Sequence, residues 1–326
     1  MRILVLGGSG FVGRAVASEA VARGDTVTVV NRGAREPVPG VHTVVADRRD
    51  PGFTVPGGTW DAVVDTWSAQ AQPVRTAARL LRGRAGHYTY VSSRSVYAYP
   101  TTGLILTEEA PLVDVGDPGY AGDKLRGEQG TAAFAGPVLL ARAGLILGPH
   151  EDVGRLPWWL RRLHRGGPVL APGPQDLPLQ YVDARDLATF VLDAAAAGVS
   201  GPVNTVSAPG HTTMGELLTV AAAVTGGRAR LHWTDPQVIL DAGIEPWTQL
   251  PIWLPPGPDH TFLHTGDVSR ALGLGLRCRP VQDTVADTWE WLSAQPADLP
   301  TRADRPPVGL DPAVEATLLP QPFAAS

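Results

Sequence analysis

A glycine-rich loop near the start of the chain constrains the fold more than any other feature of this sequence. The apolar run RILVLG ends at Gly7, the motif GGSGFVG begins there, and an alanine-rich stretch follows. This order predicts a buried strand, a tight turn and a helix. Gly7 permits the turn, Gly10 lets a pyrophosphate approach the backbone, and Gly13 allows the helix to pack closely on the strand. The pattern predicts a dinucleotide site at the helix N-terminus, with a ligand-free βα turn as the alternative. The loop supplies three further predicted cofactor-binding residues, Ser9, Phe11 and Val12.

The first half of the chain alternates between runs typical of strands and runs typical of helices. A helix is predicted over Val74–Arg82, between two of the strands. Alternation of this kind, bounded by glycines, predicts βαβ units and a parallel sheet that is buried on both faces. The expected fold class is therefore α/β: a Rossmann-type doubly wound parallel sheet with a smaller C-terminal substrate-binding lobe. The predicted strands after the first are Thr26–Asn31, His42–Ala46, Trp60–Asp65, His87–Ser92 and Pro137–Ala141.

The composition changes after Gly148 and Pro149. Prolines become frequent, and seven of the nine tryptophans lie beyond this point. We therefore predict three segments: a Rossmann core with the catalytic motifs at 1–149, a mixed substrate lobe at 150–293 with some segments that return to the core, and a loosely ordered proline-rich tail at 294–326. The helices predicted in this half are Asp186–Ala197, Met214–Thr225 and Val281–Leu292.

Charge and composition argue against several functional classes. The formal net charge is −5, so the chain has no overall positive field that would hold nucleic acid or an anionic membrane. The single cysteine, Cys278, excludes an internal disulfide framework and a multi-cysteine metal site, and it fits a reducing compartment. The apolar run after Arg2 reaches glycine at position 7, so we expect no signal peptide, and the absence of an apolar run of about 20 residues predicts no membrane span. We expect a soluble cytoplasmic protein, a monomer or homodimer, that acts on a small molecule and binds no metal, nucleic acid or membrane.

The residues after the second, third and fourth strands bear on the choice of cofactor. An NAD site usually has a carboxylate about 20 residues after the loop, whereas this chain has Asn31 and Arg32 there. Because a guanidinium can bind the adenosine 2′-phosphate with two hydrogen bonds, NADP(H) is favoured over NAD(H), with a solvated arginine as the alternative. Asp47 and Arg48 are predicted to border the adenine, or else to form an ordinary surface ion pair. Thr66 is a further predicted cofactor-binding residue.

The chain has 27 basic side chains but only one lysine, Lys124, which lies in the motif YAGDK four residues after Tyr120. That spacing puts both side chains on one face of a helix, one turn apart. A free tyrosine titrates near pH 10, and a neighbouring ammonium favours its phenolate, so the pair indicates acid–base chemistry at neutral pH. A surface helix pair is the alternative. Both residues are also predicted to contact the cofactor.

The motif VSSRSVY ends the fifth predicted strand, and open α/β sheets bind ligands at such strand ends. A serine hydroxyl at this place can donate to a substrate oxygen and hold it near the tyrosine. We predict Ser93 in this role, with Ser95 as its substitute. For either serine, a purely structural role in the turn after the strand is the alternative.

Together, the motifs GGSGFVG, VSSRSVY and YAGDK resemble the extended short-chain dehydrogenase/reductases, the NAD-dependent epimerase/dehydratase family. Further segments (RILVLGG, VVNRG, WDAVVD, ARAGLILGP, LQYVDARDLA, TMGELL and EPWTQLPIWLP) are similar to an actinobacterial branch of reductases, and the resemblance covers about residues 1–292. It implies that Ser93, Tyr120 and Lys124 form the catalytic triad. It also implies cofactor contacts at Gly7, Gly10, Gly13 and Arg32, and places near the nicotinamide or substrate for Arg142, Gln180 and Tyr181.

One departure from the family bears on the reaction. Dehydratases of this family carry a threonine followed by an acidic pair at the serine position, whereas Arg94 and Ser95 follow Ser93 here, which argues against dehydration of a sugar nucleotide. We predict an NADP(H)-dependent, ketoreductase-like oxidoreductase that transfers hydride between the nicotinamide and a carbonyl or secondary alcohol of a metabolite-like or sugar-like molecule. Two alternatives stay open. One is a sugar or sugar-nucleotide epimerase that retains its cofactor. The other is a non-catalytic nucleotide- or RNA-binding protein, since the resemblance extends to chloroplast stem-loop RNA-binding proteins.

Residue type alone suggests candidates for the substrate site. Four tryptophans are candidates for an aromatic wall, although tryptophan also fills cores: Trp158, Trp159, Trp247 and Trp253. Arg161, Arg162 and Arg165 form a charge run that indicates a solvated helix face, or else a clamp for an anionic substrate. The complete set of predicted substrate residues is Ser95, Tyr97, Arg142, Trp158, Gln180, Tyr181 and Trp247.

Overall fold

The computed structural model describes residues 1–99, 105–302 and 304–320. The strands are β1 (Arg2–Leu6), β2 (Thr26–Asn31), β3 (His42–Val45), β4 (Trp60–Asp65), β5 (Ala85–Ser93), β6 (Val138–Ala143), β7 (Leu145–Leu147), β8 (Gly167–Pro172), β9 (Pro178–Leu179), β10 (Tyr181–Asp183), β11 (Gly201–Thr205), β12 (Thr212–Thr213) and β13 (Ala229–Thr234). The helices are α1 (Phe11–Ala22), α2 (Gln72–Leu80), α3 (Gly119–Gly130), α4 (Arg155–Arg165), α5 (Ala184–Ala196), α6 (Met214–Val224), α7 (Pro236–Asp241), α8 (Pro258–His264), α9 (Ser269–Gly273), α10 (Val281–Ser293) and α11 (Pro312–Leu318), with short 3₁₀ turns at Arg94–Val96 and Thr131–Ala133. Among the described residues, no helix has both the length and the hydropathy needed to cross a bilayer.

The chain divides into two compact units. Unit 1 contains residues 1–146, 181–208 and 265–278, and unit 2 contains the other described residues. Two stretches from the second half of the chain are therefore part of unit 1. Each unit is described separately below.

Unit 1 is built on a seven-stranded sheet in which every strand is parallel to its neighbours, in the order β3-β2-β1-β4-β5-β6-β11. Leu4 in the middle of β1 pairs with Thr28 on one side and with Val63 on the other. The strands β1, β2 and β3 follow one another toward one edge of the sheet, whereas β4, β5 and β6 follow one another toward the other edge. The strand order therefore reverses between β1 and β4, and ligands bind at such a switch point in open α/β sheets. The predicted Rossmann-type fold is confirmed. The edge strand β11 was not predicted, because the segment GPVNT is short and begins with two residues that are rare in strands.

The buried side chains of β1 supply two separate cores, because successive residues of a strand point to opposite faces of the sheet. Ile3 and Val5 pack in a cluster that contains residues of α1 and α5. Leu4 and Leu6 pack in a second cluster, which contains residues of α2. The strand is therefore apolar at every buried position, since helices cover the sheet on both faces.

Unit 2 contains short sheets and a group of helices. Strand β8 pairs in parallel with β13, and β9 pairs with β12 in the antiparallel sense. Helices α4, α6 and α10 pack on one another, and α11 packs on β8.

Helix α11 lies in the segment for which the sequence predicted only a loose tail. Its buried Glu315 accepts hydrogen bonds from Arg162 Nε (2.6 Å) and from the backbone N–H of Leu170 (3.1 Å). This contact also shows that the prediction of a solvated helix face was wrong for Arg162, which is buried and ion-paired.

Candidate active site

The glycine loop after β1 has a geometry that depends on the absence of side chains. Gly7 has a φ of +105°, and a Cβ at that position would overlap Thr66 Oγ1. A Cβ on Gly13 would overlap the Gly7 carbonyl oxygen and lie 2.8 Å from Gly8 Cα, which accounts for the close packing of α1 on the loop. At Gly10 the nearest atom to such a Cβ is 3.9 Å away, so this face of the loop is open to a ligand.

Helix α1 begins directly at this loop. Its N-cap residue is Gly10, which has no side chain to accept a hydrogen bond from the first-turn N–H groups. The first-turn N–H groups of a helix have no intrahelical acceptor, and together with the helix dipole they favour an anion. A glycine-rich turn followed by N–H groups that lack an intrahelical acceptor fits a dinucleotide pyrophosphate. Ser9, Phe11 and Val12 lie on this loop and the first turn, as the sequence predicted.

The end of β2 presents an exposed arginine. The Asn31 side chain accepts a hydrogen bond from Gly33 N (2.7 Å), so its amide oxygen closes the local turn. Arg32 is exposed. At the end of β3, Asp47 forms an exposed ion pair with Arg49 (2.6 Å). The hydrogen bonds from Arg49 hold the pKa of Asp47 down at about 2, so this carboxylate is charged at neutral pH.

Arg48 lies in the interior and not at the surface beside Asp47. Its guanidinium binds both carboxylate oxygens of Asp65 at 2.6 and 2.7 Å, and it also donates to the Pro73 carbonyl oxygen at 2.9 Å. The expected surface pair of Asp47 and Arg48 is thus replaced by a buried pair of Arg48 and Asp65. The charge of Arg48 is therefore neutralised within the core of unit 1.

The only lysine of the chain is buried, with 3% of its surface exposed. Lys124 Nζ donates to two backbone carbonyl oxygens, that of Trp67 at 2.7 Å and that of Val91 at 2.6 Å. It also lies 4.8 Å from the centre of the Tyr90 ring, whose hydroxyl donates to the same Trp67 oxygen at 3.1 Å. The ammonium is therefore fixed where β4 and β5 end.

Tyr120 and Ser93 flank this region of unit 1. Tyr120 lies in the first turn of α3 and is partly exposed, and the Lys124 ammonium is 6.0 Å from the centre of its ring. Helix α3 packs on β5, which ends at Ser93, and on the 3₁₀ turn that follows. Ser93 Oγ donates to Ser95 Oγ and accepts from Ser95 N, both at 3.1 Å.

Burial separates Tyr120 from the other tyrosines nearby. Burial raises the pKa of Tyr90 and of Tyr97, so both phenols stay protonated at neutral pH. Tyr97 is 1% exposed. Tyr120 is therefore the phenol of this cluster that is partly exposed.

Glu128, which the sequence analysis did not single out, organises a buried network behind the lysine. It accepts hydrogen bonds from Ser92 Oγ (2.5 Å) and, with both oxygens, from the Arg142 guanidinium (3.0 and 2.9 Å). Arg142 also donates to Tyr97 Oη at 3.2 Å. The structure thus gives Arg142 and Tyr97, both predicted near the substrate, a place in this network. The position of Glu128 four residues after Lys124, on the same helix face, was a signal that could have identified it.

The other predicted substrate residues are distributed over both units. Tyr181 belongs to unit 1 and is buried, with its N–H donating to Ser207 Oγ (3.2 Å). Gln180 belongs to unit 2 and is also buried. Trp158 and Trp247 both belong to unit 2, and the Arg155 guanidinium lies 4.9 Å from the centre of the Trp247 ring. Trp159 and Trp253, the other two candidates for an aromatic wall, are fully buried in the same unit, so they fill its core instead.

Comparison with known proteins places this site in a family context. The model of the NAD dependent epimerase/dehydratase family matches residues 54–207. The family resemblance is confirmed. The matched segment contains Ser93, Tyr120 and Lys124, whereas the glycine loop precedes it. No curated protein matches the chain by sequence.

Several solved structures have the same fold as this chain. The enzyme WbmH of Bordetella bronchiseptica, in complex with NAD+, has a TM-score of 0.68 at 17% identity over 90% of this chain and 98% of its own. The UDP-glucose 4-epimerase of Thermus thermophilus, in complex with NAD, has a TM-score of 0.64 at 19% identity over 91% and 100%. A putative epimerase from Burkholderia cenocepacia has a TM-score of 0.66 at 20% identity over 90% and 98%. At these identities the similarity shows the shared fold alone.

Proposed function

We propose that this chain is an NADP(H)-dependent oxidoreductase that moves hydride between the nicotinamide and a carbonyl or secondary alcohol of a small molecule. The observation that carries the proposal is the position of Lys124. An ammonium is buried where two parallel strands end, two carbonyl oxygens hold it, and the partly exposed ring of Tyr120 is 6.0 Å away. Burying a charge costs free energy of folding, and charged groups that are buried in spite of this cost are common at functional sites.

The side chains of the site have different roles in proton transfer. In the reductive direction Tyr120 donates its phenolic proton to the substrate oxygen, and in the oxidative direction it takes that proton back. The Lys124 ammonium stabilises the phenolate that forms. Ser93 orients the same substrate oxygen by donating the hydroxyl proton that it now shares with Ser95. When bound, the nicotinamide supplies or accepts the hydride.

The preference for NADP(H) rests on Arg32. Gly7, Gly10, Gly13 and the first turn of α1 would hold the pyrophosphate in either dinucleotide. Arg32 is exposed at the end of β2, where its guanidinium can bind a 2′-phosphate, and the neighbouring Asn31 supplies no carboxylate for a ribose hydroxyl. The WbmH and Thermus structures contain NAD, so the preference of this chain needs its own test.

That test is a calorimetric titration with NADPH and with NADH, after the protein has been checked for nucleotide that co-purified. We expect NADPH to bind about tenfold more tightly than NADH, and Arg32→Gln to remove most of this difference. Arg82→Gln is the matched control, because Arg82 is exposed but follows α2 at the opposite end of the strands. Equal binding of both nucleotides would overturn the NADP(H) preference. Tightly retained NAD(H) would support the epimerase alternative, and binding of neither would overturn both enzymatic hypotheses.

The role of Tyr120 has a separate test. Tyr120→Phe should lower the rate of NADPH oxidation with a panel of small aldehydes and ketones by about 100-fold or more, while the NADPH affinity changes little. Tyr99→Phe, at an exposed tyrosine, is the control. Unchanged turnover in Tyr120→Phe would overturn the assignment.

A further inference from the structure

Unit 2 contains a cavity of about 690 Å³. It lies between α4, the end of α10 and the segment after it, and all of its lining residues belong to unit 2. The volume falls within the range of small-molecule sites, which is about 300–1,000 Å³.

Aromatic and aliphatic side chains form most of the wall. Trp158 packs edge-on against Trp159, with ring centres 4.7 Å apart, and Trp289 packs against His164 at 4.8 Å. A Cβ on Gly309 would overlap the Trp158 indole, so the chain passes directly against this ring. The two indoles that line the cavity are thereby held by their neighbours and present fixed ring surfaces to an aromatic ligand.

Three arginines of α4 line the same cavity. Arg162 is neutralised by Glu315, whereas Arg161 donates only to uncharged groups, the carbonyl oxygens of Pro296 and Ala297. Arg165 is exposed and makes no hydrogen bond or ion pair with the described residues. Within the described part of the chain, neither Arg161 nor Arg165 is therefore paired with a carboxylate.

The cavity offers little negative charge to balance them. Among the described residues that line it, Glu151 is the one acid. Its two oxygens accept the backbone N–H groups of Arg155 and Leu156 at the start of α4 (2.8 and 3.0 Å), and burial raises the pKa of Glu151 to about 7. An apolar cavity with excess positive charge is complementary to an apolar anion.

We propose that this cavity binds a small aromatic carboxylate. Its ring packs on Trp158 and Trp289, and its carboxylate pairs with Arg165, close to the charge of Arg161. The proposal uses no residue of the nucleotide loop or of the Tyr120 cluster, so it does not depend on the proposed function.

The test compares 2-naphthoate with its uncharged counterpart 2-naphthamide, by calorimetry on the full chain without nucleotide. We expect 2-naphthoate to bind and to quench tryptophan fluorescence, and 2-naphthamide to bind about tenfold more weakly. Arg165→Gln should weaken 2-naphthoate binding by a similar factor and leave 2-naphthamide unchanged. Arg165→Lys, which keeps the charge, should recover part of the loss.

Arg230→Gln is the matched control, since Arg230 is also exposed in unit 2 but does not line the cavity. Trp289→Leu should weaken both ligands, because it removes ring surface and no charge. The proposal is overturned if 2-naphthoate does not bind, if 2-naphthamide binds equally well, or if Arg165→Gln has no larger effect than Arg230→Gln. Because nucleotide is absent, a failed NADPH titration would leave each of these results unaffected.

Discussion

The buried ion pair of unit 1 gives a sharp test of the structural account. Arg48 holds both carboxylate oxygens of Asp65, and the two side chains are 4% and 0% exposed. Asp65 also accepts hydrogen bonds from Tyr88 Oη at 2.5 Å and from Trp67 N at 3.0 Å. The Arg48 guanidinium lies 5.2 Å from the centre of the Trp67 ring. We predict that Arg48→Met is strongly destabilising.

The magnitude follows from what the substitution leaves behind. Methionine replaces most of the aliphatic volume of Arg48, so the cavity term is small. The Asp65 carboxylate loses its cation but keeps two hydrogen-bond donors and stays out of water. Removing one partner of a buried pair typically costs about 3–5 kcal/mol. The double variant Arg48→Met, Asp65→Asn removes the stranded charge as well, so it should be more stable than Arg48→Met alone.

The chain supplies a matched control at the next residue. Arg49 also pairs with an aspartate, Asp47, but their side chains are 57% and 35% exposed. Exposed ion pairs contribute little to stability. Arg49→Met should therefore leave the unfolding midpoint unchanged within error.

Urea unfolding followed by circular dichroism measures these differences as shifts of the midpoint at constant m-value. If Arg48→Met is too unstable to purify, Arg48→Lys keeps a charge but loses the bidentate geometry, and should show an intermediate loss. A loss of stability in Arg48→Met no larger than that in Arg49→Met would contradict the prediction. A double variant less stable than Arg48→Met would contradict it as well.

Three further predictions concern stability and packing. Burial raises the pKa of Glu151 from 4.5 to about 7, so the folded chain binds a proton there that the unfolded chain releases at lower pH. The free energy of unfolding should therefore fall by about 3 kcal/mol as the pH rises from about 4.5 to 7. Glu151→Gln should flatten this slope in urea melts at several pH values. Gly13→Ala should abolish nucleotide binding measured by calorimetry, because its methyl group would overlap the Gly7 carbonyl oxygen. Glu315→Ala should destabilise the chain by about 3 kcal/mol, because it leaves Arg162 buried without its partner, and should speed proteolysis near α11.

Each of these has a result that would contradict it. A pH slope that is the same with and without Glu151 would show that the buried carboxyl does not retain its proton. Normal nucleotide affinity in Gly13→Ala would show that the loop has room for a side chain. Unchanged proteolysis in Glu315→Ala would show that the ion pair does not hold α11 in place.

Much of the fold could be predicted because it depends on local patterns. The structure has strands at Thr26–Asn31 and Trp60–Asp65, the bounds that the sequence predicted. Both are buried β-branched runs between turn residues, and such runs form strands whatever lies next to them. The pairing of Tyr120 with Lys124 was equally accessible, because residues four apart on a helix share a face.

The sequence alone determined the class of fold, the glycine loop and the helical spacing of Tyr120 and Lys124. Only the tertiary structure decided what holds that pair, because the Trp67 and Val91 carbonyl oxygens that fix Lys124 are backbone groups without a residue signature. It also decided that Arg48 is buried while its neighbour Arg49 is exposed. Two adjacent arginines look alike in a sequence, and their burial depends on which carboxylate the folded chain brings within reach.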